Sequence, residues 1–286
     1  MKQLGTVLGT FLLAICAACG TPTRDPGTGD DTGVDASGSD ARHDAGTGID
    51  GPQVDNSLVY AHSATVLYKV DATTFAPTEI AAFSGITGSV TDIAVDKNGA
   101  MVAITNSTLY SVNPATAAGS EIKALSGAAT NFTGLGYVPD PQDTTKDLLV
   151  TANASGDVYT IDPTTGQSTK VGNYGKLNGK QISSSGDLFG VRGFGTYASV
   201  KVAGSTNDFL ARIDTSTWAA TPLGGVSGTG FKNIFGLGFW AGKVFGFDDA
   251  GNVIAIDKDS GLGMSMEANA TVWWGAGVTT NAPIIQ

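Results

Sequence analysis

A short text, "VYTIDPTTG" at Val158–Gly166, is rewritten along the chain as "LYKVDATT" from Leu67, "LYSVNPAT" from Leu109, "LARIDTST" from Leu210 and "VIAIDKDSG" from Val253. The equivalent residues Tyr68, Tyr110, Tyr159, Ala211 and Ile254 follow one another at intervals of 42, 49, 52 and 43 residues. One strand and turn cannot bury its own apolar face, so a period of this length marks sheets stacked on one another as propeller blades or an array. Each copy divides into short apolar or alternating runs separated by Gly, Asn and Asp, as a four-stranded sheet requires. In the fifth copy these are "NIFGLGFW", "GKVFGFD", "NVIAIDKDSG" and "LGMSMEAN". The third reads "NFTGLGYV", "DLLVTAN", "DVYTIDPTTG" and "STKVGNYG", and the second "SVTDIAVD", "AMVAITN", "TLYSVNPAT" and "SEIKALSG".

The ends of this region test closure. From Ser57 the first copy has only strands two, three and four: "SLVYAHS", "TVLYKVD" and "PTEIAAFSG". The missing first strand is supplied by "WWGAGVTT" at Trp273–Thr280, which aligns with "IFGLGFW" and "FTGLGYV" through its Gly-x-Gly. Residues 57–286 are therefore expected to form an all-β, five-bladed β-propeller closed by the C-terminal strand, a closure that hides exposed sheet edges. Composition agrees: 40 of 286 residues are glycine and only 15% are charged, which suits many tight turns rather than helices.

The opening "MKQLGTVLGTFLLAICAACG" has one early positive charge, Lys2, then an apolar stretch too short for a comfortable membrane span, and reads as a secretory signal. Its "CAAC-G" ending resembles the bacterial lipobox, with Cys16 standing where leucine is usual. The resemblance implies a signal peptide over 1–18 and acyl chains on Cys19, giving a stable membrane anchor. Gly20 after it is not the aspartate that signals inner-membrane retention, so an outer-membrane lipoprotein of the bacterial envelope is expected. The alternatives are modification at Cys16, where Ile15 is a poor cleavage residue, and an ordinary secretory signal without lipid. Residues 19–56 form the lipid-anchored linker. From Gly20 to Asn56 they hold eight aspartates and almost no large apolar residue, so they are expected to be a disordered tether. The aspartates never make the D-x-[DN]-x-[DN]-G loop with a distal glutamate that calcium needs.

Over residues 57–286 the "LY-x-I-D-P-x-T-G" repeats resemble those of bacterial secreted β-propeller proteins. That group is functionally mixed, so the resemblance implies the fold and leaves function to the site. The formal net charge of −10 argues against nucleic acid as a partner. The only cysteines are Cys16 and Cys19, so the propeller has neither a disulfide nor a cysteine zinc site. No metal or other cofactor is expected.

Asp71, Asn113, Asp162, Asp214 and Asp257 recur at the end of the third strand, and one residue type at one structural position reads as a turn former rather than a row of catalytic carboxylates. The innermost strands carry Gly134 and Gly136, Gly236 and Gly238, Gly275 and Gly277, where five sheets crowd the axis. Asp92 in blade two, and Lys180 and Gln181 in blade four, break that pattern. They are candidate channel residues or, equally, a satisfied polar plug. Aligning "LVYAH", "MVAIT", "LVTAN", "LFGVR" and "VFGFD" puts His62, Thr105, Asn153, Arg192 and Asp248 at one equivalent place, the end of strand two, and hence on one rim. An insertion at Gly193–Asn207, containing Tyr197, is expected over that rim. Arg192 suits an anionic or polyhydroxylated ligand, and the acidic domain disfavours a polyanion. Trp240, Trp273 and Trp274 are either sugar platforms or buried between blades. The expectation is a monomeric, membrane-anchored binding or scaffold module for a protein or a glycan. A glycan-active or metal-dependent hydrolase is the alternative. It is disfavoured because Glu79, Glu121 and Glu267 all fall on outermost strands and His62 is the only histidine after residue 57.

Overall fold

The structure, a computed structural model, describes residues 57–285; the signal segment, Cys19 and the acidic linker lie outside the described residues. The described residues contain strands and turns but no helix. Blade one holds β1 (Val59–His62), β2 (Val66–Val70) and β3 (Pro77–Ala82). Blade two is β4 (Asp92–Val95), β5 (Met101–Ile104), β6 (Thr108–Val112) and β7 (Gly119–Ala124). A two-residue strand, β8 (Ser126–Gly127), precedes blade three: β9 (Gly134–Pro139), β10 (Asp147–Ala152), β11 (Asp157–Ile161) and β12 (Gln167–Asn173). Blade four comprises β13 (Lys176–Leu177), β14 (Lys180–Val191), β15 (Gly195–Val202), β16 (Phe209–Asp214) and β17 (Ala219–Pro222). Blade five is β18 (Ile234–Trp240), β19 (Lys243–Asp248), β20 (Asn252–Ile256) and β21 (Gly263–Ala268), and β22 (Gly275–Val278) follows.

The fold is the five-bladed propeller the repeats imply. Its closure is as expected, because β22 pairs antiparallel with β1, matching Val59 to Val278 and His62 to Gly275. Blade one is thus assembled from both ends of the repeat region. Burial falls from the axis outward: β4 and β22 are buried at every position, while β7 and β21 are mostly exposed. Phe189, Phe239, Phe245, Phe247 and Trp273 fill the spaces between neighbouring blades. Trp273 meets Tyr68 and Phe247 edge-on, with centroids 5.1 and 5.6 Å apart. It is an inter-blade core residue.

The third-strand turns obey one rule in every blade. The side-chain oxygen of Asp71, Asn113, Asp162, Asp214 or Asp257 accepts a backbone N–H two residues on. The backbone carbonyl of the same residue accepts from the residue four on, which has positive φ each time: Phe75, Ala117, Gly166, Trp218 and Gly261. These are turn formers.

Blade four departs from the expected alignment. "KQISSSGDLFGV" is one strand, β14, and "GTYASVKV" is the second strand, β15, rather than part of an insertion. The physical cause is a bulge. Ser184 pairs with Val200 and Leu188 with Ala198, so Ser185, Gly186 and Asp187 stand opposite Ser199 alone. A polar "SSGD" inside a strand reads as a turn and splits one strand into two apparent ones. What remains of the insertion is the short connection Ala203–Asp208.

Candidate functional site

The alternating strand directions give the ring two faces. The strand two-to-three turns and the connections between blades emerge on one, the linker face. The strand one-to-two and three-to-four turns emerge on the other. His62, Thr105, Asn153 and Asp248 end second strands on the linker face, but Arg192 follows Val191, the last residue of a first strand. Arg192 therefore belongs to the opposite face, and the shared rim does not include it. His62 is displaced as well. Register pairs His62 with Leu67, as Ile104 pairs with Leu109 and Ala152 with Val158. Ser63 is thus the counterpart of Thr105, Asn153 and Asp248.

Those four counterparts are engaged in their own turns. Ser63 Oγ accepts the Val66 N–H. Asn153 Oδ1 accepts from Ser155 and Asp157, and Asp248 Oδ1 from Ala250 and Asn252. Thr105 is buried and donates to the Thr108 carbonyl. The variation at this position reflects different ways of closing one hairpin.

Arg192 is a clamp. Its guanidinium donates to Asp147 Oδ1 at 2.5 Å, to the carbonyls of Lys146 and Thr144, and to Thr280 Oγ1. Its backbone N–H donates to the Thr280 carbonyl. Residues 279–285 lie across this face: Thr279 donates to the Asp96 carbonyl, Asn281 to the Lys97 carbonyl, and Ala241 donates to Pro283. We refer to this as the tail face. Tyr197, placed by β15 inside the sheet, is buried against Phe189 and Phe194, and Arg212 stands over its ring. It is a core residue and belongs to no rim.

Lys180 and Gln181 do not reach the axis either. They begin β14, far ahead of the bulge, where Gln181 donates to Ser155 and Ile182 carbonyls and Lys180 is exposed. Register gives Asp187 the axial position in blade four: Leu188 pairs with Ala198 just as Ile93 pairs with Ala103 and Leu135 with Thr151. The innermost ring of five is Gly275, Asp92, Gly134, Asp187 and Gly236. Asp187 was missed because the bulge hid its strand, although "DLFGV" repeats the "DIAV" that flagged Asp92. Asp92 and Asp187 are each 1% exposed and His62 is fully buried. Burial drives the Asp92 carboxyl up to about 6, against the opposing pull of His62 and two backbone N–H groups. Asp187 is raised too, by burial first and by the Asp92 charge second.

Two surface clefts bear on ligand binding. The one on the linker face has a volume of 460 Å³ and is built by blade four's departure from the repeat. The extra length of β14, Lys180–Ser184, pairs through Lys180 and Gln181 with β13 and through Ile182–Ser184 with Val200–Val202 of β15, and carries the sheet past the ring. Against this ledge stand the β13–β14 turn, the Gly204–Asn207 turn and the "GGVSG" loop at 224–228. Gly224 and Gly228 have positive φ and backbone atoms where a side chain would go, so only glycine permits this loop path. Lys180, Asn178, Ser205, Thr206 and Asn207 give the cleft its polar groups, while Val226 stands 97% exposed at its edge. The second cleft, on the tail face, is 640 Å³ and largely apolar, with Pro139, Pro141 and Phe194 beside the committed Arg192.

No family model and no curated protein matches this chain. Solved structures resemble it loosely. The extracellular domain of a one-component system from Bacteroides thetaiotaomicron is 14% identical at a TM-score of 0.38, over 72% of this chain and 29% of that one. A computationally designed protein, Ika8, is 16% identical at 0.33, over 74% and 58%. A structural-genomics protein from B. thetaiotaomicron is 15% identical at 0.43, over 65% and 52%. The chain spans less than two thirds of each.

Proposed function

We propose that the protein is an anchored binding module that presents the linker face of its propeller to a polyhydroxylated, weakly acidic ligand such as an uronic-acid-bearing glycan or a polar protein loop. One observation carries this reading: the linker-face cleft exists because blade four breaks the repeat, and a departure that builds a concavity marks function better than any turn residue does. Lys180 supplies a single cation that can accept one acidic group. The hydroxyls and amides of Asn178, Ser205, Thr206 and Asn207 match sugar hydroxyls or a peptide backbone. Trp274, 37% exposed just before β22, adds an aromatic surface on the same face. The acidic net charge of −10 opposes a polyanion. Lipid attachment at Cys19, the acidic tether and an outer-membrane address complete the proposal. They rest on the sequence of residues 1–56 alone.

A hydrolase reading draws less support. His62 and Asp92 are sealed from solvent and line neither cleft. Titration of the full chain with neutral and uronic-acid oligosaccharides tests the proposal. Lys180→Glu should weaken binding of the acidic sugars by about tenfold, ~1.4 kcal/mol, with the melting temperature unchanged. Loss of binding on Phe194→Ala but not on Lys180→Glu would move the site to the tail face. Turnover abolished by Asp92→Asn with the melting temperature unchanged would restore the hydrolase.

A further inference from the structure

At the axis, one backbone N–H from the innermost strand of each blade points inward. These are Ile93, Leu135, Leu188, Leu237 and Ala276, each the residue after the ring position. Asp92 takes two of them, through Oδ1 from Ile93 at 2.8 Å and Oδ2 from Leu135 at 2.6 Å. Asp187 takes the other three: Leu188 at 2.6 Å, Leu237 at 3.0 Å and Ala276. Two carboxyl groups thus tie together all five blades. They do so out of contact with water, where two full charges repel at low dielectric.

His62 completes the cluster. Its Nδ1 lies 2.8 Å from the Ser63 carbonyl, and a carbonyl only accepts, so Nδ1 carries a hydrogen. Nε2 then faces Asp92 Oδ1 at 3.6 Å and has no hydrogen-bond partner. Without a further proton, a lone pair on nitrogen confronts one on oxygen. With one, the contact becomes a hydrogen bond. Gly275 opposite leaves the gap in which they meet, since a side chain there would strike both Asp92 and His62.

We propose that this axis is a proton-dependent lock: the His62–Asp92–Asp187 cluster retains a proton that lets two buried carboxyl groups hold five blades, and losing it as pH rises loosens the ring. The facing groups from every packed element are few. Blade one contributes His62, blade two Asp92 and blade four Asp187. Blades three and five contribute only backbone N–H groups. The buried Tyr174 phenol, raised by burial and by Asp187, is the other titratable group that feels Asp187. Asp208, with Lys201 at 3.7 Å, receives Ser185 and Ile234 and belongs to the neighbouring bulge. The sign follows from linkage. Acids raised in the folded state bind protons that the unfolded chain has released. Their stabilisation is complete below the ordinary carboxyl value and disappears as pH climbs through about 6 for Asp92, with Asp187 shifted in the same direction.

Urea unfolding of the intact protein tests this between about pH 4 and pH 8. The midpoint should fall with rising pH by on the order of 1 M urea. Because repulsion among surface carboxylates gives a fall of the same sign, the series is repeated in about 1 M salt, which screens exposed charges and leaves buried ones. The fall should persist there, and His62→Gln should reduce it. Asp187→Asn places an amide against N–H donors and can fail to fold, so a second measurement uses the wild type alone. Infrared difference spectra with isotope-labelled aspartate should show a protonated carboxyl band at about pH 6, above the range of ordinary aspartate. A midpoint flat in high salt, or absence of that band, overturns the lock.

Discussion

The residue that recurs four positions after each turn former shows how local chemistry and packing are traded. A left-handed residue closes each five-residue turn, and glycine does this without strain at Gly166 and Gly261. At Phe75 and Trp218 the backbone is equally left-handed, with φ of 66° and 62°, and burial of the aromatic ring offsets the strain. Gly166→Ala would place a methyl 2.5 Å from the Ala124 carbonyl oxygen in addition to the left-handed penalty. It should cost about 1–2 kcal/mol in urea unfolding. Ala117→Gly, at a φ of 55°, relieves strain while losing one buried methyl, and should change stability by less than about 1 kcal/mol. A larger loss at Ala117 than at Gly166 would mean that backbone conformation does not set the cost. The Asp, Asn and Thr of these turns were legible in sequence because each uses its own side chain to fix its own backbone. Phe75 and Trp218 gave no such sign, since their fitness comes from neighbours distant in the chain.

At the scale of the strand, the same distinction decides what could be read. Blades one, two, three and five follow the repeat in their strands and turns, although in blade one Ser63 rather than His62 holds the place the alignment implied. Blade four was misdivided at "SSSGD", and three site assignments moved with it: Arg192 to the tail face, Tyr197 into the core, and Lys180 with Gln181 away from the axis. A bulge is a register event between two strands, and neither strand records it alone. The relocation of Arg192 reverses what its removal should do. The guanidinium joins β10, the end of β14 and residues 279–281, so Arg192→Ala leaves the nearly buried Asp147 short of its ionic partner. Stability should fall by about 2 kcal/mol, with ligand binding on the linker face unaltered. Arg192→Lys should recover only part of it, because an ammonium cannot span the same acceptors. Unchanged unfolding in both variants would remove the clamp from this account.

Across the whole molecule, closure depends on one pairing and one axis. β22 supplies blade one's inner strand, delivers the fifth inward N–H through Ala276, and leads into the residues that cross the tail face. The fold was legible at this scale because five copies with a displaced first strand admit one closed solution. The polar axis was half legible. Asp92 stood out against glycine, but its partnership with Asp187 exists only once the ring closes. A break before Gly275 should therefore do more than expose an edge of β1. It removes an N–H from Asp187 and uncovers His62 and Asp92 together. A chain stopped after residue 270 should be aggregated or molten, with its near-ultraviolet dichroism lost. Because pairing with β1 is antiparallel and local to blade one, a separate peptide of residues 271–286 should restore a cooperative transition when added in excess. Rescue should fail with Gly275→Ala in the peptide, since the methyl would occupy the space between His62 and Asp92. If the truncated chain instead unfolds cooperatively at the wild-type midpoint, the ring is held by its blade interfaces alone, and neither β22 nor the axis closes it.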